Sequence, residues 1–492
     1  MSPTEANNAS QQISIASIPT EIIHQICALS DKEDLKSLRS TCQKLGAVAD
    51  YHLLRGFSLW FHPDCFQVLQ EIANHPYRSR CVRSLSYITN SPTSIIPSNP
   101  EPDSLLMKQC GYDAEELPEY KRVVMAQNNT VESNADFALL TDIIPKLVNL
   151  EEMIVSHLGD HTPKCRYLQL PHWHRQLRYR RYPDGDEGEQ MQQPDNPFVD
   201  LVGDGFRYPR QDDRHMRSVV EGLHAAGTSI KLKEIHAGYL RTSYFRSSHP
   251  VWAATGSIAI LSSDQLANLT VFDIAVNTAK RTSRADSGQG LAQGCHLRDV
   301  LARMPNLETL CLDFIHWEPK ESRSSRIPIW PWPAQLEDII PDNQYWPRLR
   351  QLNLGPLETD GQPLLNFLVR HKHSLKNLKM THPRLFNTSW KSFLPKLKAS
   401  FQADPLDARF FNTLWGQSPD TPTTTQSEPS EQFRLTDIDE YCIRDNGHGT
   451  TMRTDLVREY MLSPPGTRCA LLDVPNSFEV ADNSEDSDDG DD

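Results

Sequence analysis

The sequence predicts an α/β protein: an all-helical module at the N-terminus, then an irregular solenoid of alternating helices and parallel strands. Two observations carry that expectation. Residues 18–49 repeat apolar side chains at helical spacing inside a polar chain, and from residue 57 onward a helix followed by a short apolar strand recurs. The acidic run at the C-terminus, 479–492, is expected to lie outside any core, since its like charges bury nothing.

The opening residues 1–14 are polar and read as disordered. In "IPTEIIHQICALSDKEDLKSLRSTCQKLGAVA", Pro19 suits the first turn of a helix and Glu21 complements its positive end. Ile18, Ile22, Ile23, Ile26 and Leu29 follow at helical spacing. Ser30-Asp31-Lys32-Glu33 has the form of a capping box. Leu35, Leu38, Cys42, Leu45 and Ala49 then form a seam on one face of a second helix. Two such helices are too small to stand alone and must pack on a third element and on a partner.

From "FSLWFHP" the period changes to two, with Phe57, Leu59 and Phe61 on one side and Ser58 and Trp60 on the other. Asp64 is placed to cap a helix carrying Phe66, Leu69 and Ile72, before the strand "CVRSLSYI". The same unit recurs, with strand triplets Val82/Leu85/Tyr87, Leu150/Met153/Val155, Leu232/Ile235/Ala237, Leu269/Phe272/Ile274, Leu307/Leu310/Leu312, Leu349/Leu352/Leu354 and Leu375/Leu378/Met380. From 232 to 375 the starts are 37, 38, 42 and 26 residues apart, the spacing of irregular repeats. Each unit has one apolar strand edge and one helix face, and stacking buries both. A plain two-layer α/β domain is the other arrangement open to such a pattern. In the solenoid, Glu152, Glu234, His236, Asp273, Asp313, Asn353, Asn377 and Lys379 fall between the buried positions, on the concave face, and are the expected target-binding residues. Irregular insertions are read at 90–120, 159–213, 280–295 and 317–347. Residues 416–433 read as a linker, and 434–478 as a short segment able to add an edge strand or a small helix.

The order Ile18-Pro19-x-Glu21-Ile22, Ile26, Asp34-Leu35, Leu38, Cys42 and Leu45, within residues 15–56, resembles an F-box. The layout of 57–415 is similar to fungal F-box proteins with degenerate leucine-rich repeats. Ile18 stands where leucine is usual before the proline, Ser30 where a leucine often sits, and Leu45 where a tryptophan is frequent. The resemblance implies docking on a Skp-type adaptor, and through it a cullin, by Ile18, Pro19, Ile22, Ile26, Leu35, Leu38 and Leu45. It implies a substrate-recognition subunit of a cullin–RING ubiquitin ligase, holding an unknown protein substrate and performing no bond chemistry itself. A non-ligase interaction scaffold fits the same residues equally well.

The 492 residues carry a net charge of −14, of which nine acids lie beyond the last basic residue, Arg468. An acidic chain of this kind lacks the net basic face that binding nucleic acid needs. "MSPTEANNASQQ" lacks the layout of a secretory signal, and no apolar run has the length of a membrane span. Ten scattered cysteines without a C-x-x-C read as reduced thiols, so the expected compartment is cytoplasm and/or nucleus. No P-loop, H-E-x-x-H or G-x-S-x-G occurs, and "GQGLAQG" has its third glycine one place late for a dinucleotide loop. His157, His161, Cys165, His172 and His174 match no compact zinc spacing, so no metal and no cofactor is expected, although an enzyme with a metal site in 157–174 is a third reading. Arg178-Tyr179-Arg180-Arg181 reads as a solvated face, and Trp330 and Trp332 as a contact or as a cover for the core.

Overall fold

A computed structural model describes residues 17–88, 117–156, 211–241, 261–277, 297–315, 334–381, 383–416, 431–436, 451–453 and 455–467. Three short helices come first: α1 (Thr20–Leu29), α2 (Lys32–Arg39) and α3 (Gln43–Leu54). Pro19 precedes α1, and its carbonyl accepts from the N–H groups of Ile22 and Ile23. The cap of α2 falls one residue later than the capping box suggests. Asp31 is the N-cap, accepting from the Asp34 N–H at 2.8 Å, while the Ser30 hydroxyl donates back to the Ile26 carbonyl. The expected single seam through Ala49 is cut at Cys42, whose extended backbone separates α2 from α3. Just before it, the hydroxyls of Ser40 and Thr41 donate to the carbonyls of Ser37 and Leu38, a local pairing that competes with a further helical turn.

The strands that follow, in chain order, are β1 (Gly56–Trp60), β2 (Ser84–Ile88), β3 (Glu152–Ser156), β4 (Glu234–Arg241), β5 (Val271–Asn277) and β6 (Thr309–Ile315). Next come β7 (Ala334–Gln335), β8 (Gln351–Leu354), β9 (Leu357–Asp360), β10 (Asn377–Thr381), β11 (Pro383–Phe386) and β12 (Asp407–Gly416). Nine of them form one parallel ladder in the order β1-β2-β3-β4-β5-β6-β8-β10-β12. The ladder is anchored one residue before each strand. The carbonyls of Arg55, Arg83, Glu151, Lys233, Thr270, Glu308 and Arg350 each accept two N–H groups from the next unit, at 2.7 to 3.0 Å. The chain is therefore mixed α/β with a mostly parallel sheet.

One face of this ladder is apolar throughout. All seven strand triplets read from the sequence are buried. They pack against helices on that face, including α4 (Pro63–Asn74) through Phe66 and Leu69. The same core takes in α5 (Leu117–Ser133) at its margin through Val131, and α6 (Ala135–Ile143) through Leu140 and Ile143. It continues through Val219 and Leu223 of α7 (Gln211–Ala226), Leu266 of α8 (Ser263–Ala267) and Val300 of α9 (Leu297–Ala302). His62, rather than Asp64, caps α4: its Nδ1 accepts from the Asp64 N–H, with Pro63 in the first turn. Asp136 of α6 is fully buried, yet Arg214 of α7 holds it with two hydrogen bonds of 2.6 and 2.7 Å. That bidentate pair pins two helices together over β2, where the Tyr87 hydroxyl lies 3.0 Å from His215 Nδ1.

The predicted insertions are partly built structure. α5 begins inside 90–120 and α7 inside 159–213. Within 317–347, α10 (Leu336–Ile339) and the turn after it bury Leu336, Ile339, Ile340 and Trp346 in the main core. The remainder of those two earlier insertions, with 280–295, 1–14 and 479–492, lies outside the described residues. A second, smaller ladder goes beyond what strand periodicity predicts: β7, β9, β11 and the end of β12 run parallel beside one another. The chain enters it at Gly355, where a side chain would lie 2.8 Å from the Asp313 Cα and the Phe314 nitrogen, so glycine is needed for the close pass. Beyond it, β13 (Glu431–Thr436) is antiparallel to β12, and β14 (Thr451–Arg453) is parallel to β13. α11 (Gly361–Arg370) and α12 (Trp390–Ser400) cover the end of the core, and α13 (Asp455–Leu462) adds Tyr460 and Met461 to it. Among the described residues no helix is long and apolar enough to cross a membrane.

The second ladder carries a titratable pair. Burial pushes the Glu358 carboxyl of β9 up to about 7, against the opposing pull of Arg384, whose Nε lies 3.2 Å away on β11. A carboxyl raised in the fold stabilises it fully below the ordinary carboxylate range, and that stabilisation is lost as pH rises through about 7. Chemical denaturation from pH 5 to pH 8 is expected to show falling stability from this group, and Glu358→Gln to flatten that part of the profile.

Candidate functional site

Two surfaces stand out. The first is on the N-terminal helices, which enclose their own core of Ile23, Cys27, Leu35, Leu45, Val48 and Ala49, distinct from the core under the sheet. α1 is apolar on two sides. Ile23 and Cys27 turn inward, while Ile22, Ile26 and Leu29 turn outward with 43%, 46% and 90% of their surface exposed. Pro19 is exposed beside them. The steps of four and three place the outward residues on one continuous stripe.

This divides the residues expected to meet an adaptor. Pro19, Ile22 and Ile26 are available. Ile18 and Leu38 are half-buried and pack against the small core. Leu35 and Leu45 are each only 6% exposed and belong to that core, where they hold α2 and α3 to α1. Leu29, most exposed of the apolar residues here, adds to the outward face.

The second surface is the face of the sheet opposite the helices. Strand registers place all eight predicted residues on it in three rows. Glu152, Glu234 and Asn377 share the row nearest the strand starts. His236, Asp273, Asn353 and Lys379 share the next, which also holds Cys311 of β6 and Arg409 of β12. Asp313 lies one row further, paired with Ala275. Acids gather over β3–β6 and bases over β10 and β12. The face closes toward β1–β4: Trp60, Ile88 and Ile154 are buried there although their registers place them with the outward residues.

His236 is the centre of the acidic part. Its Nδ1 lies 3.0 Å from Asp273 Oδ2, and its Nε2 lies 3.3 Å from Glu234 Oε2 and 3.7 Å from Glu152 Oε1. The next residue in the row, Cys311, accepts from Asn353 Nδ2 at 3.0 Å. Burial, reinforced by the negative charge of Asp273, pushes its thiol up to about 12 despite the Asn353 hydrogen bond and the positive Lys379. A thiol held protonated in this way is a packing and hydrogen-bonding group, not a nucleophile. At the far edge, burial alone would raise the Asp407 carboxyl, but hydrogen bonds from Arg409 and Arg458 hold it below its ordinary value. Arg458, on α13, thereby ties that helix to the start of β12 at 2.8 Å.

Cys311 and Arg409 of the middle row were not among the residues expected on this face. Cys311, between Leu310 and Leu312, occupies the same outward slot as Asp273 and was legible from the period. Arg409 was not, because β12 begins after Pro405 and carries the small Ala408 where the other units have a larger apolar residue. The histidines at 157–174, the Arg178–Arg181 run, Trp330 and Trp332 lie outside the described residues. No protein-family model matches the chain, and neither does any curated protein.

Alkylation of the native protein at pH 8 checks the electrostatics of the second surface. Exposed Cys42 is expected to be labelled, and Cys311 only after unfolding, as read by peptide mass spectrometry.

Proposed function

We propose that this protein is an F-box-type substrate receptor of a cullin–RING ubiquitin ligase. The observation that supports it most is the division of α1. A helical module that completes its own core and still turns Pro19, Ile22, Ile26 and Leu29 outward has an apolar stripe left over for another polypeptide. The resemblance of residues 15–56 to an F-box names that polypeptide as a Skp-type adaptor. In this reading the strands are stacked leucine-rich-repeat-like units. One strand per unit, added in chain order to a parallel ladder, is what such stacking produces.

The polar sheet face then holds a protein target, through Glu152, Glu234, His236, Asp273, Asp313, Asn353, Asn377 and Lys379. Its acid-to-base gradient gives a bound segment a preferred direction. The chain performs no bond chemistry in this scheme. It raises the effective concentration of a target lysine beside a ubiquitin carrier held by the adaptor and cullin, which makes the transfer nearly intramolecular.

Adaptor pull-down tests the reading. An Ile22→Lys, Ile26→Lys double variant is expected to lose at least about 30-fold in affinity for a Skp-type adaptor, the scale of a truncated hot spot. Its circular dichroism should stay that of wild type, because both side chains already face solvent. Val148→Lys, at an exposed apolar residue away from the module, should bind normally. Equal recovery of adaptor by wild type and the double variant would remove the proposal.

A further inference from the structure

We propose that Glu152, Glu234 and His236 form a binding site for a divalent transition-metal ion, with Asp273 positioning the histidine. Glu152 of β3 and Glu234 of β4 are direct register partners, and His236 stands two residues along β4 on the same face. The backbone therefore delivers three donors to one spot. A carboxylate oxygen from each glutamate and a ring nitrogen of His236 all lie within 4.8 Å of one another.

The distances fit an ion. Bonds of about 2.0–2.2 Å at the tetrahedral angle separate neighbouring ligand atoms by about 3.3–3.6 Å. His236 Nε2 lies 3.3 Å from Glu234 Oε2 and 3.7 Å from Glu152 Oε1. The imidazole is also held in an orientation suited to ligation, with its side chain 5% exposed and Nδ1 3.0 Å from Asp273 Oδ2. A carboxylate at one ring nitrogen favours the proton there and leaves the lone pair of the other nitrogen directed at the two glutamates.

One imidazole and two carboxylates suit zinc or manganese. Calcium takes six to eight oxygens, and magnesium keeps most of its water. Three protein donors leave a position for water or for a donor of a bound partner. Sequence spacing carries no sign of such a site, because its ligands stand 82 and 2 residues apart and meet only through the ladder. This inference stands apart from the ligase reading and survives or fails without it.

The test uses the full chain, stripped with chelator and dialysed against Zn²⁺, with bound metal counted by mass spectrometry. Other histidines and cysteines take up zinc, so the readout is the difference between variants. His236→Ala and the Glu152→Gln, Glu234→Gln double variant are each expected to hold one equivalent less than wild type. His373→Ala, at an exposed histidine beside Asp404, should hold as much as wild type. Asp273→Asn should keep the site but weaken its affinity about 10- to 100-fold. With Co²⁺ as the probe, the visible absorption of the bound ion should vanish in the double variant. Equal zinc in wild type and the double variant would overturn the proposal, leaving adventitious surface zinc only. The glutamine variant keeps side-chain shape, so the result holds even if His236→Ala fails to fold.

Discussion

The structure depends on a parallel ladder whose register is set at the strand starts across nine strands, with one shift in β4 between Ala237 and Leu240. Each unit enters it through one carbonyl that accepts two N–H groups of the following strand, from Arg55 to Arg350. With the register fixed there, alternation does the rest. From β2 to β10, apart from the shift in β4, alternate residues go to the helices and are buried, and the intervening ones join rows on the opposite face. A slip of one residue in any unit would send Leu352 or Leu378 to the polar face and Asn353 or Lys379 into the core. The gathering of Glu152, Glu234, His236 and Asp273 is thus a product of backbone pairing rather than of local sequence.

The N-terminal helices obey a different constraint. Three helices of this size enclose only a few side chains, and the small core of Ile23, Cys27, Leu35, Leu45, Val48 and Ala49 uses one side of α1. Polar links tie the module to the rest of the chain: Asp50 meets Arg39 within the module and Arg78 beyond α4, and the Tyr77 hydroxyl donates to the Ala47 carbonyl. Those links set its orientation and leave the outward stripe untouched. Ile22, Ile26 and Leu29 remain in water at a cost that association would recover, roughly 25 cal/mol for each Å² covered. The tightly packed inner side and the open outer side of one helix are the physical basis for reading this module as a docking element.

Much of the architecture was legible in the sequence, because period is a strong signal when a face is fully buried. The strand triplets from Val82 to Met380 and the outward set from Glu152 to Lys379 follow from the apolar pattern taken together with the upstream helices and the spacing of the units. Four things were not legible. The break at Cys42 depends on side-chain bonds of Ser40 and Thr41, which compete with the helix only where tertiary packing permits. Period also shows that Leu35 and Ile22 lie on apolar stripes but not which stripe the chain itself covers. Finally, the convergence on His236 joins residues whose separation in sequence gives no metal spacing, and β12 was obscured by Ala408 and Pro405.

Thermal denaturation of lysine variants at adjacent strand residues tells the two faces of the sheet apart. Asn353→Lys and Asp313→Lys point to the open face, while Leu352→Lys and Leu312→Lys place a charge in the core. Midpoints within a few degrees of wild type are expected for the first pair, and loss of the folding transition for the second. Similar midpoints at neighbouring positions, or the opposite alternation, would contradict the register on which both faces of the sheet are built.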